Sequence, residues 1–210
     1  MALQLPSQIK SLIVPKKNPG LGFAFGGAMI MLVLTASESV YPNYSIHTDA
    51  ISYLGGAGVA TEWFWNTALF IAALLWIWSS AGIFYGRHRF PGSPIFYATG
   101  LGMALVALSP WDVRPATHTI GALATLLFGI GSCYIGGRMV SGPMKYLSYA
   151  AATLSLIAFL SGFFGLFAFL GPGGLERMDY FPLFLWETAF GGYFLGRHAS
   201  AGSETALKVD

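Results

Sequence analysis

The chain has a single cysteine, Cys133, in 210 residues. No intramolecular disulfide can form, and a zinc site built on thiolates is excluded; Cys133 reads as a packing residue. Charge is nearly as scarce. Asp, Glu, Lys and Arg make up 10% of the residues, against roughly 25% in a soluble domain. The net charge is +2 and the basic residues sit singly or in pairs, so no cationic stripe exists for nucleic acid. Histidine is limited to His47, His88, His118 and His198. A diheme cytochrome needs paired histidines at matching depth inside apolar runs; none are present, which argues against haem. No phosphate-cradling glycine loop precedes a basic residue, and no nucleophile-elbow pattern surrounds a serine. Pro6 and Pro15 interrupt the order of a signal peptide.

What the chain has in abundance is apolar sequence: 55% hydrophobic residues and a mean hydropathy of +0.61. Runs of membrane length occur at about 20 to 38, 62 to 85, 94 to 110, 117 to 137, 146 to 170 and 180 to 196. The expected fold is an all-α integral membrane protein, a six-helix transmembrane bundle occupying residues 20–196. Residues 1–19 form a cytoplasmic interfacial segment, in which Leu5, Ile9, Leu12 and Ile13 recur at helical spacing with Lys10 opposite. Residues 197–210, small and polar, are expected to be a disordered cytoplasmic tail.

Orientation follows from the basic residues. With the N-terminus inside, the inner side holds Lys10, Lys16, Lys17, Arg87, Arg89, Arg138, Lys145, Arg197 and Lys208, nine of the eleven. Only Arg114 and Arg177 fall outside. Both termini are therefore placed in the cytoplasm and the protein in the plasma membrane. The acids lie the other way: Glu38, Asp49, Glu62, Asp112, Glu176, Asp179 and Glu187 map to the outer connections or outer halves of the spans. Polar chemistry is concentrated on the outer side. Gly22 with Gly26, Gly129 with Cys133 and Gly137, and Gly192 with Gly196 recur at close-packing spacing, which suits tight helix pairs within the chain, a homo-oligomer or a membrane-protein partner.

The connection between the first two runs, residues 44 to 60, is patterned. Read as a helix, it puts Ser45, Asp49 and Ser52 on one stripe and Ile46, Ala50 and Tyr53 on the other, as a short amphipathic outer segment anchored by Trp63 and Trp65. Such a segment lies on the surface or forms a lid over an outward-facing cavity. Glu187 is eight residues beyond Asp179, about 12 Å into the membrane from the outer end of its helix. A carboxyl there needs a partner or a proton. His118 opens the fourth run, four residues after Arg114 and about 6 Å from the outer surface. If their helices touch, side chains and one water bridge it to Glu187.

These placements make His118, Glu187 and Asp49 the candidate catalytic set, for acid and base chemistry. His118, Asp49 and His47 are a candidate divalent-metal set. Ser45, Ser52, Asn66, Asp112 and Arg177 are candidate lining of an outer cavity.

The run "NYSIHTDAISYLGG" at Asn43 to Gly56, "WFWN" at Trp63 to Asn66, "SPWDVRPATHTIGA" at Ser109 to Ala122 and "GLERMDYFPLFLWE" at Gly174 to Glu187 resemble the signature of a prokaryotic membrane family, domain of unknown function nine-nine-eight. Tyr53 stands where that family usually has aspartate. The same landmarks are similar, more weakly, to six-span DRAM-type and GPI-anchor lipid-remodelling proteins, and that resemblance implies lipid-linked biology with Asp49, His118 and Glu187 as the site. The expected function is an outward-facing polar cavity handling a membrane lipid or lipid-like ligand, as a binder, hydrolase or acyl transferase. The alternatives are an accessory or scaffold subunit of a membrane complex and a proton-coupled transporter.

Overall fold

The computed structural model describes residues 18–84 and 92–206, with side chains placed through Arg197. The interfacial segment expected over residues 3–13 lies outside the described residues, as do Arg87, His88, Arg89 and Lys208.

Among the described residues six α-helices stand where the six apolar runs are: α1 Leu21–Val40, α2 Glu62–Ile83, α3 Ser93–Ala107, α4 Pro115–Met139, α5 Pro143–Phe164 and α6 Gly171–Ala206. No strand occurs among the described residues. Prolines open α3, α4 and α5 in their first turn, where a missing N–H costs nothing. Gly165 ends α5 in the left-handed conformation, with φ 66°. The last helix continues through residues 197–206, where a disordered tail was expected; no proline interrupts that alanine-containing stretch. Pro182 lies inside α6 and leaves the Met178 carbonyl without its helical donor.

Four helices, α1, α2, α4 and α5, are long and apolar enough to cross a bilayer, while α3 is apolar but only 15 residues. The surface is more apolar than a soluble bundle would allow. Leu32, Ile120, Phe163, Phe164 and Phe169 are all exposed, whereas Ser37, Ser79, Ser80, Ser132, Ser148 and Ser155 are wholly buried. Small and hydroxylated residues inside with apolar residues outside is the arrangement of helices packed in lipid. The chain is a polytopic membrane protein.

Each helix packs on its neighbour in sequence, and α6 closes the ring by packing against α1 while also touching α4. Aromatic side chains fill the centre: Phe23 meets Trp76 edge-on at 4.9 Å and Trp186 stacks on Phe190 at 4.5 Å. The glycine spacings serve these internal contacts. Gly22 abuts Leu75 and Ser79 of α2, and Gly137 abuts Tyr149 of α5. Gly192 has open space around it.

The segment between α1 and α2 is not one amphipathic helix. It is a turn at 45–49 followed by a 3-10 helix, Ile51–Gly55. Asn43 adopts φ 58°, a left-handed conformation that α-helix does not continue through. The Asp49 carboxylate accepts the Ser45 amide at 2.8 Å and the Thr48 hydroxyl at 3.1 Å, closing a local turn. Ile51 and Leu54 are buried beneath it.

Candidate functional site

The connections between α1 and α2, α3 and α4, and α5 and α6 gather at one end of the ring, called here the loop end. Arg177, near the start of α6, ties the end of α1 and the connection after it to α6. Its guanidinium donates to Glu38 Oε1 from Nε at 3.2 Å and Nη2 at 2.6 Å, and to Tyr44 Oη from Nη2 at 2.7 Å. Nη1 donates to the carbonyls of Gly173, Asp49 and Ile46 at 2.7, 3.2 and 3.3 Å. Tyr44 in turn donates to the Ala50 carbonyl at 3.0 Å. Burial lifts its phenol to about 12, against the pull of the Arg177 charge, so it stays a neutral donor. Gly173 N–H donates to the His47 carbonyl at 3.1 Å. Arg177 is therefore a structural clamp over the end of the ring, with every nitrogen committed.

Several other polar residues of the loop end are also engaged. Asn66 donates to the Gly55 carbonyl at 2.9 Å, and the Asp112 carboxylate accepts the Ala57 amide at 3.0 Å. Tyr53 stacks on Trp111 at 4.6 Å, which accounts for an aromatic at this position. Ser45 and Asp49 close their own turn. Among the described residues no three His, Cys, Asp or Glu side chains gather in a group able to hold a metal. His118, Asp49 and His47 therefore do not converge.

Beneath the 3-10 helix lies a cavity of about 50 Å³. Ile51, Trp65, Leu69, Met103, Val106 and Phe184 supply apolar wall; Ser52, His118, Glu176, Tyr180 and Thr125 supply the polar groups. Ser52 and His118 were expected at such a site. Glu176 and Tyr180 were not, although Glu176, Tyr180, Phe184 and Glu187 share one helix face at spacings of four, four and three. That stripe was the available signal.

The Glu176 carboxylate accepts the Ile51 amide and so fastens the 3-10 helix over the cavity. It lies in the first turns of α6, before the apolar stretch that begins at Tyr180. Burial raises its pKa to about 7, partly offset by the Ile51 amide and the Arg177 charge. Burial, then the neighbouring Glu176 charge, brings Asp179 to about 7 as well. His118 Nδ1 lies 2.7 Å from the Ser109 carbonyl; a carbonyl only accepts, so Nδ1 carries hydrogen and Nε2 is the lone-pair nitrogen of the neutral ring. Tyr180 donates to the Ala122 carbonyl at 2.9 Å.

Glu187 is deeper, wholly buried, with no hydrogen-bond partner on either oxygen. It borders a second, smaller cavity of about 10 Å³ with Trp76, Thr99, Met103, Thr125, Gly129, Leu183 and Phe184. The helices of His118 and Glu187 do touch, but the two residues border different cavities. Met103, Thr125 and Phe184 line both.

The model of a protein family of unknown function, DUF998, matches residues 24–193, which takes in α2 to α5, most of α1, α6 as far as Tyr193 and every residue of both cavities. The chain belongs to the DUF998 family. No curated protein and no solved structure matches it. The first of the two resemblances is thereby shown; the weaker likeness to DRAM-type proteins is not.

Proposed function

We propose that this chain crosses the plasma membrane six times, with both termini in the cytoplasm and the loop end outside, and that its loop-end cavity binds a lipid or lipid-like ligand. The orientation is supported by Arg138, Lys145 and Arg197, which lie at the opposite end of the ring, and by the six acids Glu38, Asp49, Glu62, Asp112, Glu176 and Asp179 at the loop end. The observation that carries the ligand reading is the mixed lining of the cavity. Aliphatic and aromatic walls match an alkyl segment, and Ser52, His118 and Glu176 offer a polar end to hold a headgroup or carboxyl. With the loop down, about 50 Å³ admits one end of an amphiphile, so larger ligands require the 3-10 helix to lift.

Native mass spectrometry of protein purified in mild detergent tests this. Wild type should retain a bound lipid that Ala122→Phe, which fills the cavity wall, loses while staying folded. Equal retention by both proteins, or none by either, would remove the lipid reading. Ser52 borders the same cavity as His118 and Glu176, which favours hydrolase or acyl-transfer chemistry as a second reading. A fluorophosphonate probe should then label wild type and spare Ser52→Ala.

A further inference from the structure

Neither carboxyl oxygen of Glu187 receives a hydrogen bond from its surroundings. Its carboxyl lies against the backbone of α1 at Gly26, where a Cβ would come within 2.9 Å of Oε1; glycine there makes room for the acid. On the other side is the cavity of about 10 Å³, close to the space one water occupies. The hydroxyls on its wall belong to Thr99 and Thr125. Thr99 donates to the Ile95 carbonyl at 3.0 Å and Thr125 to the Gly121 carbonyl at 2.8 Å. What remains on each oxygen is lone pairs. The two central indoles are spent as well: Trp76 N–H goes to the Phe96 carbonyl at 2.7 Å and Trp186 N–H to Ser148 Oγ at 2.8 Å.

No charge compensates the acid either. The groups facing it are Gly26 from α1, Ala72 and Trp76 from α2, Thr99 and Met103 from α3, and Thr125, Gly129 and Cys133 from α4. The Cys133 thiol is the one titratable member, and none is cationic. A carboxylate would add lone pairs to a cage of lone pairs, at the cost of a buried unpaired charge. A carboxyl that brings its own hydrogen completes the cage. The route for that hydrogen is also built in, because the small cavity abuts the loop-end cavity across a shared wall of Met103, Thr125 and Phe184. Met103 is the flexible part of that wall.

We propose that Glu187 is a proton-binding site, loaded and unloaded from the loop-end cavity through one water held between Glu187 and Thr125. On unloading, the Glu187 O–H bond breaks and the cavity water takes the proton. That water gives up a proton across the shared wall to solvent in the upper cavity, where His118 Nε2 and the Glu176 carboxylate are acceptors. Loading runs the same path in reverse. The inference rests on the proposed function only in that the loop end faces water; it does not depend on the ligand.

Infrared difference spectroscopy on the full chain in lipid nanodiscs tests it. At neutral pH wild type should show a protonated-carboxyl C=O component that survives in Glu176→Gln and in Asp179→Asn and is lost in Glu187→Gln, since Glu176 and Asp179, near 7, add acid intensity of their own. In D₂O the band should shift as the proton exchanges, and Thr125→Val should slow that shift. The Thr125→Val comparison uses the intact acid, so it stands even where Glu187→Gln does not fold. Absence of a Glu187-dependent acid band would overturn the proposal. So would a band that never shifts in D₂O, or one that appears only when sodium is withdrawn, which would assign the cage to a metal cation. Loss of lipid retention in Ala122→Phe leaves the band where it is, so the two proposals fail separately.

Discussion

Replacing Arg177 with Met would leave the half-buried Glu38 beside an apolar chain and take the donors from Tyr44 Oη and three carbonyls. Leaving such part-buried hydrogen-bonding groups without their donor costs about 1–3 kcal/mol. Arg177→Met should therefore lower the thermal midpoint in detergent sharply, and Glu38→Gln in the same chain should recover part of the loss. A second expectation concerns pH. Glu176 binds its proton more tightly folded than unfolded, with a pKa of about 7 against an ordinary 4.5. Its contribution to stability is fully present below 4.5, declines as pH rises towards 7 and is flat above that. Glu176→Gln and Asp179→Asn should each flatten part of this decline in melting temperature, because both acids are raised to about 7. An unchanged pH slope in the double variant would show that other groups set it. At this scale the sequence was legible where an acid interrupts an apolar run: Glu187 stood out as needing a partner or a proton, and it is wholly buried. Arg177 was not legible. Nothing in its own neighbourhood announces that Glu38, Tyr44 and the carbonyls of a loop more than 120 residues away converge on it.

Helix contacts account for which glycines matter. A Cβ on Gly191 would run into the backbone of Gly20 and Ala24 where α6 crosses α1, whereas one on Gly192 would meet nothing. Gly191→Ala should destabilise by about 1–3 kcal/mol, as overpacking does, and Gly192→Ala should melt like wild type. Comparable melting of the two variants would mean that α1 and α6 cross elsewhere. Helix positions were readable from the sequence because each apolar run ends in proline, glycine or charge. The loop was harder. Its residues at 45, 49 and 52 fit a helical stripe, but the Asp49 carboxylate satisfies the Ser45 amide directly, and that local bond competes with the helix it would have joined. Asp49 and Asp112 are used as caps, and a cap looks the same as a ligand in one dimension.

The described residues are organised along one axis: an apolar periphery, an aromatic centre with buried serines between the helices, and polar groups collected at the loop end over two stacked cavities. That axis was visible in the distribution of charges, whereas the cavities were not, since they arise from four helices and a 3-10 turn meeting at particular heights. The account requires the upper cavity to open to the outside of the cell. Ser52 lines that cavity, and Cys133, the native cysteine, is buried, so the wild-type chain provides an unreactive background. The decisive measurement is labelling of Ser52→Cys in intact cells with a membrane-impermeant maleimide, with and without added lipid extract. The account predicts labelling from outside that lipid reduces, and none in wild type. Labelling that appears only after the cells are permeabilised would contradict it.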